Sequence, residues 1–266
     1  MIMTDHPGWL IGEDNAAHRA FPAHPAPALI TTTRTDYGGF VLKSAGAKVW
    51  FDQVDPDELS GPDDLVAPLK AAGTVRRVAN PSLWDALATA IMRQVIHAGH
   101  ARTRYQRFCQ AYGEAATAHG VTAWLFPGPE RILELTDPEF DSVGAAFPKP
   151  ALRAAARSFV ADGDRWQRLP AAELVTALQA VPRVGPWTAR IAVADHTNDF
   201  SLYDHSDIAL QPAARQLNPE RQWPRSAPDF KSAWEQMAGN QLSAWTLLTL
   251  AWGINHGKAL GRSASS

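Results

Sequence analysis

The stretch Val181-Pro-Arg-Val-Gly-Pro-Trp-Thr-Ala189 constrains the fold of this chain most. Pro186 suits the first position of a helix, where its missing N–H costs nothing. Gly185 admits a positive φ or a close backbone approach. Together they predict a compact helix-turn-helix edge whose opening N–H groups face outward, an arrangement that receives a phosphate. A carboxylate, Asp207, returns twenty-two residues after Gly185, one helix and one loop later. On local sequence alone the turn also reads as an ordinary corner between helices, since Gly-Pro turns are common.

The pattern around the turn is helical from about residue 75 onward. Asn80-Pro81-Ser82 leads into Trp84, Leu87, Ile91 and Val95 at three- and four-residue spacing, with Ser82 and Asp85 placed for a capping box. A further helix is expected near 100–118, and another from Phe126-Pro-Gly-Pro-Glu130 with Ile132, Leu133 and Leu135 as its apolar face. Two short helices open at Pro138 and Lys149, and others cover 171–180, 187–196, 207–217, 229–238 and 241–255. Residues 1–25 carry Pro7, Pro22 and Pro25 and little periodicity, so they read as irregular. Residues 28–35, 39–44 and 47–54 are rich in β-branched and aromatic side chains, with Gly38-Gly39 and Ala45-Gly46 between them. They predict a three-stranded antiparallel meander. Residues 55–64 read as a Pro/Asp/Gly-rich linker. The expected class is mainly α, with a small β-containing domain over 1–74 and a helical body over 75–266.

Composition narrows the chemistry. The 266 residues are 45% apolar and 20% charged, as in soluble globular proteins. No apolar run is long enough to span a bilayer, and the first residues lack the basic and apolar regions of a signal peptide, so a cytoplasmic location is expected. The single cysteine, Cys109, excludes a disulfide within the chain, a four-cysteine zinc site and a four-cysteine iron–sulfur cluster. His97 and His100 lack a third ligand at obvious spacing, so no metal is expected. The net charge of −2 argues weakly against a polyanion ligand. Its distribution matters more: residues 1–70 hold five basic and ten acidic residues, which leaves the remainder at +3. That is compatible with a local phosphate-binding face.

Four segments in order carry a resemblance. Pro182-x-Val184-Gly185-Pro186-Trp187-Thr188-Ala189 resembles the hairpin of the helix-hairpin-helix DNA glycosylase superfamily, specifically its alkylpurine (3-methyladenine) branch. Ala90-Ile-Met-Arg-Gln94 resembles that branch's alanine-isoleucine-leucine-x-glutamine helix. Phe126-Pro127-x-Pro129-Glu130, followed by Leu135 and Gly144 before Lys149, is similar to the region between helices. Asp207-Ile-Ala-Leu-Gln211 resembles the catalytic aspartate and the helix it begins. The resemblance covers residues 75–255; each motif is weak alone, and their order and spacing give them weight.

The resemblance implies a helical body of two subdomains that acts, as a monomer and without a cofactor, on double-stranded DNA carrying a modified, alkylated base. Cutting the N-glycosidic bond puts positive charge on the sugar, which a fixed carboxylate stabilises while it orients or deprotonates a water. Asp207 takes that role; Asp204 is its rival, and spacing with the following Ile-Ala-Leu favours Asp207. Asp207 also fits a plain helix N-cap, and both roles are compatible. Trp187 stands where bifunctional relatives carry a lysine nucleophile and cannot form a Schiff base, which implies base removal without strand cleavage. Arg183, Val184, Gly185 and Thr188, with Gln94, are the expected DNA-binding residues, and Arg93, Arg102, Arg104 and Arg190 are further candidates for phosphates. Val95 occupies the wedge position that fills the gap left by an extruded base, although it also continues the apolar face of the Trp84 helix. Trp187, Trp245 and Trp252 are expected pocket walls for an electron-poor base, and core packing fits each of them as well. Ile191, Ile208 and Ala251 stand at positions that the resemblance makes often aromatic, so a roomier, less aromatic pocket is expected. Arg183 replaces the first glycine of the hairpin, which adds a cation or alters the tight turn. Two other readings stay open: an N-glycosidase of a free modified nucleotide or nucleoside, and a non-catalytic DNA-binding protein of the same fold.

Overall fold

The structure, a computed structural model, describes residues 1–34, 40–45, 49–95 and 98–256. In chain order the elements are β1 (Leu10–Ile11), β2 (Ala17–Phe21), β3 (Ala28–Arg34), β4 (Phe40–Ala45), β5 (Phe51–Val54), a 3₁₀ turn (Pro56–Glu58), α1 (Asp63–Ala72) and β6 (Val75–Val78). Next come α2 (Leu83–Met92), α3 (Ala98–Tyr112), β7 (Ala115–Ala118), β8 (Val121–Trp124), α4 (Pro129–Glu134), α5 (Asp137–Ser142), α6 (Lys149–Trp166) and α7 (Ala171–Gln179). The chain continues through α8 (Pro186–Thr197), α9 (Leu210–Leu217), α10 (Ala227–Ala238), a 3₁₀ turn (Gly239–Gln241) and α11 (Leu242–His256). The fold is mainly helical with small antiparallel sheets. No helix among the described residues is long and apolar enough to cross a membrane. The sequence suggested a division after residue 74; packing draws two compact units from interleaved segments. One holds His6–Trp50 and Ala79–Thr197, and the other holds Met1–Asp5, Phe51–Val78 and the chain from Asn198 onward.

In the first unit, β1 to β4 form one antiparallel sheet in sequence order. β2 was not foreseen, because Ala17–Phe21 mixes small and polar residues, yet all five of its residues are buried. Its Ala20, with Leu29 of β3, packs on Ala116 and Ala123 of the β7–β8 hairpin, where small side chains let the two sheets approach closely. The helix expected to run to 118 stops at Tyr112. A Cβ on Gly113 would lie 1.9 Å from the Leu125 carbonyl oxygen, so only glycine fits where β8 crosses the helix end. His119 and Gly120 both take positive φ, the geometry of a tight two-residue hairpin turn. The meander is corrected in its third member: β3 pairs with β4, but β5 pairs with β6 in the other unit. The turn residues Gly38, Gly39 and Gly46 lie outside the described residues.

α2 is buried at every residue but Asp85 and packs against α8 and α6, as a helix this apolar must. Ser82 caps it by accepting from the Asp85 N–H at 3.1 Å. The reciprocal half of the capping box is absent: the Ser82 N–H donates instead to Asn80 Oδ1, because the Asp85 carboxylate is engaged inward. It accepts from Arg19 Nη2 (2.9 Å), the Tyr105 hydroxyl (2.6 Å) and Asn80 Nδ2 (3.1 Å), with His6 Nε2 at 3.1 Å. Burial alone would raise the Asp85 carboxyl, but His6, Arg19 and Tyr105 hold it well below the ordinary carboxylate range. The His6 ring accepts from the Gly8 N–H through Nδ1, so its proton sits on Nε2 between Asp85 and Thr89. Burial and the neighbouring Arg19 keep this histidine neutral, with its pKa lowered. Asn80 also donates to Asp195 (2.6 Å), and its carbonyl oxygen lies 2.9 Å from His196 Nδ1, which ties the start of α2 to the end of α8.

In the second unit, β5 and β6 pair antiparallel, with Met1 and Met3 bonded to the backbone of Arg76. The expected linker over 55–64 contains the first 3₁₀ turn and the start of α1. α1 and α9 pack against α11, and Phe230, Trp234 and Trp245 form an aromatic core.

Candidate active site and nucleic-acid interface

The helix-turn-helix edge is present. α7 ends at Gln179, the Val184 N–H donates to the Val181 carbonyl (3.0 Å), and Pro186 is the first residue of α8. Of the two roles open to Gly185, the positive φ falls instead on Arg183 (69°), and Gly185 is not among the positive-φ residues. The arginine thus adopts the left-handed conformation that suits the glycine it replaces. An added Cβ on Gly185 would meet nothing within 4 Å, so the turn is open on that side. Arg183 and Gly185 are exposed, whereas Val184 and Thr188 are buried.

Gln94 lies two residues beyond the end of α2. Its amide donates to the Arg183 carbonyl (3.2 Å) and to Thr188 Oγ1 (2.8 Å), so it braces the hairpin from the side. Val95 departs from the apolar face expected of it: α2 stops at Met92, and Val95 stands 91% exposed with φ 56°. A β-branched residue in the left-handed region is a strained outlier, and such strain concentrates at functional positions. Of the arginines considered for phosphates, Arg102 donates Nη1 to the Trp9 carbonyl (2.7 Å), and Arg104 has a buried Nη1 without a hydrogen-bond partner among the described residues. All four, Arg93 and Arg190 included, are half-buried, and Arg102 and Arg104 direct an Nη1 toward protein. His97 lies outside the described residues.

Asp207 belongs to the other unit and is 6% exposed. Its Oδ2 accepts from the Tyr203 hydroxyl at 2.6 Å and from the Ala209 N–H at 3.2 Å. Its carbonyl accepts from the Leu210 N–H, so it stands just before α9, which begins at Leu210 rather than at 207. The rival Asp204 closes a local turn, with Oδ1 accepting from the Ser206 N–H (3.1 Å) and hydroxyl (2.6 Å). The loop is braced beneath: His205 is buried, with its ring nitrogens at 3.0 Å from Glu235 Oε1 and 3.2 Å from the Phe200 carbonyl. Tyr203 stacks on Phe200. Tyr203 was missed in the sequence, where a lone tyrosine in a loop carries no periodic signal.

The expected pocket residues differ in burial. Trp187 is half-buried and Ile191 is buried on α8. Ile208 is 75% exposed. Trp252 is half-buried and stacks on His256 at 4.5 Å. Trp245 is corrected to a core residue: it is wholly buried, donates Nε1 to the Ser60 carbonyl (3.2 Å) and packs edge-on against Trp234.

A helical body with a Pro-x-Val-Gly-Pro hairpin and a buried aspartate ahead of a later helix is the arrangement that the resemblance to helix-hairpin-helix glycosylases leads one to expect. No family model matches the chain. Over 171 residues it is 25% identical to the DNA-3-methyladenine glycosylase of Bacillus subtilis (strain 168), a match to 60% of this chain and 56% of that relative. Over 173 residues it is 33% identical to a Mycobacterium tuberculosis protein named probable bifunctional transcriptional activator/DNA repair enzyme AlkA, covering 60% of this chain and 32% of that one. The matches thus span about half and a third of these relatives. Its fold matches an 8-oxoguanine glycosylase/lyase of Clostridium acetobutylicum, solved with DNA, at a TM-score of 0.73 and 14% identity, over 96% of this chain and 91% of that one. In sequence the chain is thus similar to alkylpurine DNA glycosylases over about 60% of its length, and its fold is that of a solved DNA glycosylase.

Proposed function

We propose that this protein is a monofunctional DNA N-glycosylase that removes an alkylated base from duplex DNA. The observation that carries this reading is the fixed, buried carboxylate of Asp207, held by the Tyr203 hydroxyl and the Ala209 N–H. As the N-glycosidic bond breaks, its electron pair leaves with the base nitrogen and the sugar ring becomes oxocarbenium-like. Asp207 stabilises that charge and orients the water that adds to C1′. The water's proton passes to the carboxylate or the departing base, leaving an abasic sugar in an intact strand. Trp187 offers no amine, so no Schiff base forms and the strand is not cut. The hairpin around Arg183 and Gly185 holds a backbone phosphate, and Val95 enters the stack when the base turns out.

The test is a panel of duplexes that each carry one alkylated, deaminated or oxidised base. The expected result is release of free alkylated base with the strand intact until alkali treatment, and no release by Asp207→Asn. Release of no base by the wild-type protein, or strand cleavage without alkali, contradicts the proposal.

A further inference from the structure

We propose that α6 carries a phosphate-binding track that extends the hairpin and grips the backbone of duplex DNA through Lys149, Arg153, Arg157 and Arg183. Lys149, Arg153 and Arg157 recur every four residues, which sets them on one stripe of α6 with about 6 Å of rise between neighbours. With Arg183 and the half-buried Ser158 they surround a concavity of about 470 Å³ beside Pro182. Four cations and no acid line it, in a chain whose net charge is −2.

The four are not equivalent. Lys149 Nζ lies 3.1 Å from Asp137 Oδ2, and Arg153 Nη1 lies 2.7 Å from Asp137 Oδ1. Arg153 Nη2 also donates to the Leu135 carbonyl. These contacts fix two long side chains in place before any ligand arrives, so little rotamer freedom remains to be lost on binding. Arg157 and Arg183 are exposed and make no ion pair among the described residues, so their charges are uncompensated. Even counting Asp137 and the more distant Asp141, the patch keeps a net positive charge. The opposite face of α6 is buried through Ala151, Leu152 and Ala155, which gives the stripe a rigid base. A row of cations at helical spacing, continuous with an exposed turn, fits a polymer of phosphodiesters better than a single small anion.

The inference takes from the proposed function only that duplex DNA is the partner. It is tested on undamaged duplex, where base release plays no part, by measuring affinity against salt concentration. Each lost phosphate contact lowers the slope of log K on log salt by about 0.9. Arg157→Gln is expected to lower it by that amount and Arg157→Gln/Arg183→Gln by about twice as much, with affinity reduced alike on every sequence. Arg168→Gln, an exposed arginine beyond the end of α6, serves as the charge control and is expected to leave the slope unchanged. An unchanged slope in the double variant, or an equal shift in Arg168→Gln, overturns the track. So does tight binding of a free mononucleotide that the double variant abolishes while undamaged duplex does not bind. An intact salt response without base release from any lesion would sink the enzymatic reading and support this one.

Discussion

At the residue scale, function turns on how firmly two side chains are held. Under the proposed function the Asp207 carboxylate gains its value from being fixed before charge develops, and the Tyr203 hydroxyl donates to it at 2.6 Å. Tyr203→Phe removes one hydrogen bond to an acidic acceptor and leaves the ring stacked on Phe200. Base release is expected to slow about tenfold to a hundredfold in single-turnover assays, with duplex affinity unchanged; an unaltered rate would remove Tyr203 from this role. Arg183 is the opposite case, a residue in a conformation it does not favour, at φ 69°. Arg183→Gly relieves that strain but loosens the unfolded chain, for a net gain of about 1 kcal/mol or less. Thermal melts should show a small rise in Tm while DNA binding weakens, and a falling Tm would show that the turn is not strained.

At the element scale, the helices of the second half were legible because apolar residues recur at three and four positions and Pro or Gly marks the breaks. α7 and α8 lie close to their expected spans. The run over α3 was misread because Ala115–Ala118 has no β-branched or aromatic excess; it becomes a strand only through pairing with β8. Gly113 was the one local sign of that break. Gly113→Ala drives a methyl against the Leu125 backbone and is expected to cost about 1–3 kcal/mol, measurable as a lower urea midpoint; an unchanged midpoint would show that this end of α3 can shift. β5 was legible as a strand but not by partner, because β6 lies across α1 and the local pattern favoured a meander. Around the candidate site, motif order led to the hairpin turn, to Gln94 bonded beside it and to the buried Asp207. Tyr203, the burial of Trp245 and the exposure of Val95 depend on tertiary packing that no spacing reports.

At the scale of the whole molecule, stability should depend on pH through the charged cluster around Asp85. The folded-state pKa of His6 lies below its ordinary 6.5, mainly through burial. The unfolded chain therefore binds the extra proton first as pH falls. The stability tied to neutral His6 is complete above pH 6.5 and is lost as pH drops through the window beneath it. The Asp85 carboxyl, also lowered, holds its contribution until pH falls below its ordinary 3.8. Denaturation followed from pH 8 to 4 should show stability declining below 6.5, and His6→Gln should flatten that decline. A decline identical in the variant would place the titrating group elsewhere. The most decisive experiment pairs rate with affinity on one duplex carrying an alkylated base. Asp207→Asn, shown by its melt to be folded, is expected to lose about a hundredfold or more in single-turnover base release while its Kd for that duplex stays within about threefold of wild type. A folded Asp207→Asn protein that releases the base at the wild-type rate would contradict the assignment of Asp207.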